Sequence, residues 1–92
     1  MDFFHRKAEV EAHTLPDQSL LLYEKNNGIA LPVNESGAVI WELCDGRHTI
    51  EEIVEDLALR YDAPRTQIER DACSFLTVLV DHGLLAHQSS ES

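Results

Sequence analysis

Cations, cysteines and long apolar runs are scarce in this chain, and each scarcity excludes a class of function. Only seven Lys and Arg residues stand against seventeen Asp and Glu residues, so the formal net charge of the 92 residues is -10. Such a charge repels a phosphate backbone, and nucleic acid is not an expected partner. No apolar run approaches the roughly 20 residues that a membrane-spanning helix needs, so we expect no membrane partner.

The few cysteines and the scattered histidines predict neither a disulfide nor a metal site. Cys44 and Cys73 lie in apolar helical patterns, where a thiol usually behaves as a small buried hydrophobe. The five histidines are scattered, and together with the two cysteines they do not form the four-ligand pattern of a structural zinc site. A glycine-rich phosphate loop and a nucleophile elbow are also lacking. We therefore expect no metal, no cofactor and no catalytic activity.

Length and the polar end of the sequence predict the domain organisation. A chain of 92 residues has room for one domain, which we place at residues 1–87. The polar composition of Gln88–Ser92 is typical of a disordered tail. Met1–Lys7 has its apolar residues ahead of its charges and lacks the apolar stretch of a secretory signal. A cytoplasmic location is therefore expected.

The first third of the chain predicts strands. Glu9–Thr14 alternates loosely between apolar and polar residues, and the Leu-Leu-Leu-Tyr run of Ser19–Glu24 is too short for an independent helix. The Asn-Asn-Gly sequence at residues 26–28 follows, and these residue types tolerate the positive φ that tight hairpin turns require. Ile29–Val33 then resumes the alternation. We expect the last two segments to pair as a β-hairpin, with Glu9–Thr14 as a further strand.

Asn34 begins the first of three predicted helices. Asn is among the residue types that cap a helix N-terminus, and apolar residues including Trp41 follow it. Asp45-Gly46 then supplies a glycine, the usual residue for the left-handed position just after a helix. The first helix is therefore expected over about Glu35–Cys44, with Trp41 in the core rather than at a binding surface.

The second and third helices have clear start signals. Thr49 and Glu52 form a capping box ahead of apolar residues at helical spacing. Pro64 suits a first helical turn, so the third helix is expected over about Arg65–His82, with Gly83 ending it. The apolar residues on one face of the third helix are predicted to be core: Ile68, Ala72, Phe75, Leu76 and Leu79.

The order of two or three strands followed by three helices predicts an α+β domain of winged helix-turn-helix-like architecture. DNA-binding proteins also use this architecture, so fold alone does not fix the function. A DNA reader would present cations and amides to the major groove from its third helix. Here acidic residues accompany the basic ones: Arg65, Gln67, Glu69, Arg70, Asp71 and Asp81. The sequence disfavours DNA binding, while a winged-helix regulator or a protein-interaction subunit remains an alternative.

Short motifs along most of the chain resemble the PqqD-like family. They lie between Leu20 and Leu85: the Leu-Leu-Leu run at 20–22, Asn-Glu-Ser-Gly-Ala at 34–38, Cys-Asp-Gly at 44–46, Thr49 before Glu-Glu-Ile at 51–53, Asp71 with Phe-Leu at 75–76, and Gly-Leu-Leu at 83–85. The resemblance implies a RiPP recognition element, a peptide chaperone that holds the leader of a ribosomally made precursor, as in pyrroloquinoline quinone biosynthesis. It also implies docking onto a radical SAM enzyme or another peptide-modifying enzyme.

The resemblance implies a leader-binding site between the third strand and the third helix. Carried over by position, the strand residues are Ile29, Ala30, Leu31, Pro32 and Val33. The helix residues on one flank of the core face are Gln67, Asp71, Ser74 and Val78, and those on the other are Glu69, Cys73, Thr77 and Val80. The sequence leaves open which flank faces the hairpin; we favour the first, because Asp71 matches an acidic family position. Asp71 can instead be solvated or pair with Arg70 or Lys25.

Pro32 departs from what an added strand requires. A residue without an N–H is tolerated in a strand only where the donor would face away from the partner strand, so Ala30 and Pro32 are expected to point to the free edge. A leader strand would then lose one hydrogen bond, worth about 0.5–1.5 kcal/mol net. Alternatively, the proline protects this edge against aggregation. An uncovered edge is also compatible with a homodimer.

Overall fold

The computed structural model describes residues 2–89 and has the α+β architecture expected from the sequence. Four strands precede the first helix, a fifth lies between the first two helices, and a sixth follows the last helix. The elements in chain order are β1 (Asp2–Arg6), β2 (Val10–Thr14), β3 (Leu20–Glu24), β4 (Ile29–Val33), α1 (Glu35–Leu43), β5 (Asp45–Thr49), α2 (Ile50–Arg60), α3 (Arg65–Asp81) and β6 (Leu85–Ser89).

The strands form two three-stranded antiparallel sheets. One sheet has the order β2-β3-β4, and the hairpin predicted from the Asn-Asn-Gly turn is its β3-β4 pair. Gly28 has a φ of 66°, as the turn requires. The other sheet has the order β5-β1-β6. The three predicted strands therefore correspond to β2, β3 and β4.

The second sheet was not predicted, and its existence corrects the proposed tail. β1 pairs with β6 along its whole length, from Asp2 opposite Ser89 to Arg6 opposite Leu85. Gln88 and Ser89 thus belong to a strand, although the composition had placed them in a disordered tail. Residues 90–92 of that predicted tail lie outside the described residues. These strands form because distant segments pair, and their own sequences carry little alternation.

The end of α1 also differs from the prediction. The helix ends at Leu43 with Cys44 as its C-cap, and Gly46 lies within β5 rather than at the left-handed position after the helix, although its φ is 81°. Arg6 of β1 takes over part of the capping, because its guanidinium donates hydrogen bonds to the carbonyls of Trp41 (3.1 Å) and Glu42 (3.0 Å). Two carbonyl groups at the C-terminus of α1 thus find their hydrogen-bond donor in β1, the central strand of the β5-β1-β6 sheet.

The other helix boundaries follow the start and stop signals. The capping box of α2 is present, with the Glu52 amide donating to Thr49 Oγ1 (3.2 Å) and the Thr49 amide donating to Glu52 Oε1 (2.8 Å). Pro64 is the N-cap of α3, and Gly83 follows its C-cap with a φ of 76°. The second and third helices are therefore confirmed.

One apolar core lies between the helices and both sheets. Trp41 is buried, as expected, and Cys44 is fully buried. Cys73 is exposed, so the expectation of two buried thiols is wrong for this residue. The core face of α3 consists of Ile68, Ala72, Leu76 and Leu79, whereas Phe75, which was expected there, is only half-buried. The position of Phe75 is important for the candidate site.

Candidate functional site

The outer edge of β4 is open. Among the described strands β4 pairs only with β3, and no backbone hydrogen bond from another described element reaches Ala30 or Pro32. Pro32 lies opposite Leu21, and Ala30 lies opposite Tyr23. In an antiparallel sheet, pairs that exchange two hydrogen bonds alternate with pairs that exchange none. Pro32 has no N–H, so its pair with Leu21 is of the second kind, and so is the pair of Ala30 with Tyr23, two residues along. The free backbone groups of both residues therefore point away from β3.

The hairpin turn before β4 makes hydrogen bonds to its neighbours. Glu24, the last residue of β3, has a side chain on the core side and is buried. Its Oε1 accepts a hydrogen bond from the amide of Asn27 at 2.6 Å, inside the turn. The amide of Lys25 donates to the Glu9 carbonyl at 3.2 Å. Hydrogen bonds therefore join the turn to the last residue of β3 and to Glu9, the residue before β2.

An apolar groove lies beyond the carboxyl end of β4. It has a volume of about 580 Å³ and lies between the start of α1, the end of α2 and the first half of α3. Its apolar wall includes Ile40, Tyr61, Ile68 and Phe75, and Asp71 lies at its polar rim. Such a groove beside an open strand edge can take up side chains of an extended segment.

Gly37 lies between the last residue of β4 and the groove. A methyl group at Gly37 would overlap Val33 Cγ1, lie 3.0 Å from Phe75 Cζ and lie 3.3 Å from Asn34 Oδ1. The last residue of β4, the first turn of α1 and the middle of α3 therefore meet at this glycine. The N-cap contributes to the fixed geometry, because the amide of Gly37 donates to Asn34 Oδ1 at 2.9 Å.

The two flanks of α3 face different neighbours. Asp71 and Phe75 line the groove together with the start of α1. Glu69 and Cys73 instead line a small recess of about 140 Å³ against α2. The flank that the sequence favoured is therefore the one on the side of α1 and the end of β4.

Of the predicted helix residues, Asp71 alone lines the groove, while Gln67, Ser74 and Val78 are exposed on the same flank. Val78 has 40% of its surface exposed, which is high for an apolar residue. No ion pair involves Asp71 within residues 2–89, and Lys25 pairs instead with Glu11 at 3.5 Å. The pairings of Asp71 with Arg70 and with Lys25 that the sequence left open are therefore absent from the described residues, and Asp71 is exposed to solvent.

Sequence reasoning missed Gly37 and Phe75 as site residues. Phe75 lies in the apolar sector of α3, so its helical spacing is that of a core residue. Only its position beside Gly37 in the folded structure distinguishes it from the core residues of α3. Gly37 could have been identified from the sequence. A glycine inside a helix costs about 1 kcal/mol relative to alanine, and its presence therefore indicates close packing at that position.

Neither of the two cysteine thiols is activated by its surroundings. Burial raises the pKa of the Cys44 thiol to about 12, and burial also raises that of Cys73, so both stay protonated at neutral pH. Over residues 2–89 no group of three or more His, Cys, Asp or Glu side chains is arranged to hold a metal ion. A search of the same residues for a helix long and apolar enough to cross a bilayer finds none.

An α+β domain of winged-helix type, with an open strand edge that leads into a helix-walled groove, belongs to a class suited to hold an extended peptide. Comparison with known proteins gives the family. Residues 18–85 match the family described as "Coenzyme PQQ synthesis protein D (PqqD)". The chain therefore belongs to the PqqD family. A relative in Rhodopseudomonas palustris (strain TIE-1), named "PqqA binding protein", is 40% identical over 55 residues, which are 60% of this chain and 54% of the relative. The chain thus spans about half the length of that curated relative.

Two solved structures share the fold over almost their whole length. "TbiB1 in Complex with the TbiA(beta) Leader Peptide" has a TM-score of 0.81 and 25% identity, covering 95% of this chain and 99% of that one. "Lasso peptide synthetase B1 complexed with the leader peptide" has a TM-score of 0.80 and 22% identity, covering 90% of this chain and 96% of that one. Both structures are named as complexes with a leader peptide.

Proposed function

We propose that this protein binds the leader segment of a ribosomally synthesised precursor peptide as an added strand on β4. The observation that carries the proposal is the open edge at Ala30 and Pro32, which ends at an apolar groove. A sheet edge supplies affinity through main-chain hydrogen bonds, and a groove supplies selectivity through side chains. The names of the PqqA-binding relative and of the two leader complexes support the same role.

The geometry of β4 gives the leader two faces. Side chains that lie directly opposite each other in an added strand share a face of the sheet. Leader residues opposite Leu31 and Val33 would therefore point to the core side, where Val33 approaches Gly37 and Phe75. Leader residues opposite Ala30 and Pro32 would point to the exposed face. We expect the leader to carry apolar side chains at alternate positions for this reason.

The flank of α3 on the side of the groove would form the other wall of the site. Asp71 would accept a hydrogen bond from a donor of the leader, and Val78 would contact an apolar leader side chain. Gln67 and Ser74 are exposed beside them and would contact leader polar groups. Ile29, Leu31 and Val33 would support the edge from the core side of β4.

The protein would present the bound leader to a separate enzyme. A radical SAM enzyme or another peptide-modifying enzyme would do the chemistry, and this chain would catalyse nothing itself. We place this role in the cytoplasm, where precursor peptides are made. Pairing of two copies through the same β4 edge would compete with the leader, so the peptide-bound protein would be monomeric.

A titration tests the proposal directly. The ¹⁵N-labelled protein is titrated with synthetic PqqA of Rhodopseudomonas palustris (strain TIE-1). It is also titrated with peptides encoded by short reading frames beside the gene for this protein. We expect amide shifts at Ala30, Leu31 and Val33 and along Asp71–Val78. Shifts confined to the recess between α2 and the Cys73 flank, or no binding by any of these peptides, would contradict the proposal.

A matched pair of variants separates the site from the rest of the surface. Val78→Glu places a charge on the proposed wall and should weaken binding about tenfold or more, because burying an unpaired charge is costly. Leu59→Glu makes the same change at an α2 residue with 83% exposure, and should leave affinity unchanged. Both variants should unfold at nearly the wild-type urea concentration, since both positions are exposed.

A further inference from the structure

Resting on the proposed function, we propose that Pro32 makes β4 an incomplete edge, which holds a leader strand by three main-chain hydrogen bonds instead of four. Ala30 would donate through its N–H and accept through its carbonyl, whereas Pro32 would only accept through its carbonyl. One carbonyl of the leader, in the residue opposite Pro32, would find no donor on β4. Pro32 thus determines which main-chain carbonyl of the leader goes without a hydrogen bond to β4.

The register of the hairpin carries this inference. Pro32 has no N–H to donate to Leu21, so its pair and the pair of Ala30, two residues earlier, belong to one class, and the pairs of Leu31 and Val33 belong to the other. In an antiparallel sheet the two classes alternate, and members of one class direct both backbone groups to the far side. Both residues are exposed, and no other described element covers their backbone. The edge therefore offers one donor and two acceptors.

Strand addition at this edge predicts a pattern of main-chain groups in the leader, from which Pro32 removes the need for one carbonyl. On antiparallel addition, the leader residues opposite Ala30 and Pro32 each need an N–H, and they lie two residues apart. The residue between them, opposite Leu31, turns its N–H away from β4 and can lose it without cost. Only the leader residue opposite Ala30 needs its carbonyl. A leader bound in this way would accept an N-alkylated residue at the middle position of the three.

Chemical synthesis can isolate the missing donor. Cys44 and Cys73 provide two ligation junctions in a chain of 92 residues, so residue 32 can be varied freely in the first segment. One protein carries Pro32→Ala, and its matched control carries N-methylalanine at position 32. The two forms share a methyl side chain and differ at the nitrogen, where only the alanine form has an N–H.

Peptide affinity of the two forms is then compared by calorimetry. The probe is the synthetic PqqA of Rhodopseudomonas palustris (strain TIE-1), or a peptide encoded beside this gene if one binds more tightly. We expect the alanine form to bind about 2- to 12-fold more tightly than the N-methylalanine form. This ratio of affinities corresponds to the net free energy of one neutral hydrogen bond. Urea unfolding of both forms checks that the fold is equally stable.

An N-methyl scan of the same probe tests the pattern. Binding to the wild-type protein should fall sharply at two peptide positions two residues apart and stay unchanged at the position between them. Equal affinity of the alanine and N-methylalanine forms would overturn this inference while leaving leader binding intact. Loss of binding at consecutive positions of the scan would overturn the strand pairing on which the inference rests. Absence of binding by wild-type protein and by both forms would instead overturn the proposed function.

Discussion

Gly37 is the residue at which a single methyl group would disturb both the core and the site. It lies in the first turn of α1, against Val33 Cγ1 and Phe75 Cζ. Alanine is the better helix former by about 1 kcal/mol, so helix propensity alone predicts stabilisation by Gly37→Ala. Overpacking in a well-packed core typically costs about 1–3 kcal/mol. Because the overlap with Val33 involves a short, stiff side chain, we expect the cost of overpacking to be the larger effect.

We therefore predict that Gly37→Ala lowers the free energy of unfolding by about 1 kcal/mol, measured by urea denaturation. Val33→Ala removes the methyl group that would be overlapped. In the double variant the effect of Gly37→Ala should change sign or vanish, because the added methyl group then fills space that Val33 has vacated. An equal loss with and without Val33→Ala would show that the contact with Val33 is not the cause.

At the scale of elements, those with local signals could be predicted from the sequence. β3 and β4 follow from the Asn-Asn-Gly turn between them, α2 from its capping box, and α3 from Pro64 and Gly83. The bounds of β4 agree residue by residue with the prediction. These elements can be predicted because turn and cap residues determine the conformation of residues only three or four positions away in the sequence.

The elements that were missed depend on partners far away in sequence. β1 is the centre of a sheet whose other strands, β5 and β6, come from after α1 and after α3. Nothing local in Leu85–Ser89 indicates that residues 2–6 will pair with it. The same holds for the candidate site, since β4 and the approximate α3 residues were predicted but the contact of Gly37 with Phe75 was not. Local patterns predict elements, whereas the groove exists only where three elements meet.

The start of α2 offers a prediction at the same scale. Thr49 is buried, its Oγ1 accepts from the Glu52 amide, and α2 packs against both α1 and α3. Thr49→Ala removes this acceptor and should lower the free energy of unfolding by about 1–2 kcal/mol, the usual cost of losing an N-cap. Thr49→Ser keeps the hydroxyl and should cost clearly less. If serine and alanine cost the same, the lost methyl packing of Thr49 rather than its cap would explain the effect.

At the scale of the whole molecule, the two sheets have different roles. The β5-β1-β6 sheet joins residues from both ends of the described chain and caps α1 through Arg6. The two outer strands of the β2-β3-β4 sheet are β2 and β4, and the end of β4 lies near the groove. An added leader strand would extend only the β2-β3-β4 sheet. The β5-β1-β6 sheet and the helices could then keep their packing, so leader binding at β4 would require little rearrangement of the core.

The acidic charge of the whole chain makes a last prediction that does not depend on any leader. The net charge is -10 at pH 7 and the isoelectric point is about 4.7. Among the described residues, Lys and Arg form ion pairs only at Lys25 with Glu11 and at Arg60 with Asp56, so most carboxylates repel one another without a local partner. Screening this repulsion with salt should stabilise the folded state, because it is the more compact one.

We therefore expect the urea midpoint at pH 7 to rise when NaCl is increased from about 20 to about 200 mM, over which the screening length falls from more than 20 Å to below 10 Å. The rise should disappear at pH 4.7, where the net charge is near zero. Salt can also stabilise a protein by strengthening apolar burial, but that effect does not need net charge and would persist at both pH values. A rise of equal size at pH 4.7 and pH 7 would therefore show that charge repulsion does not limit the stability of this fold.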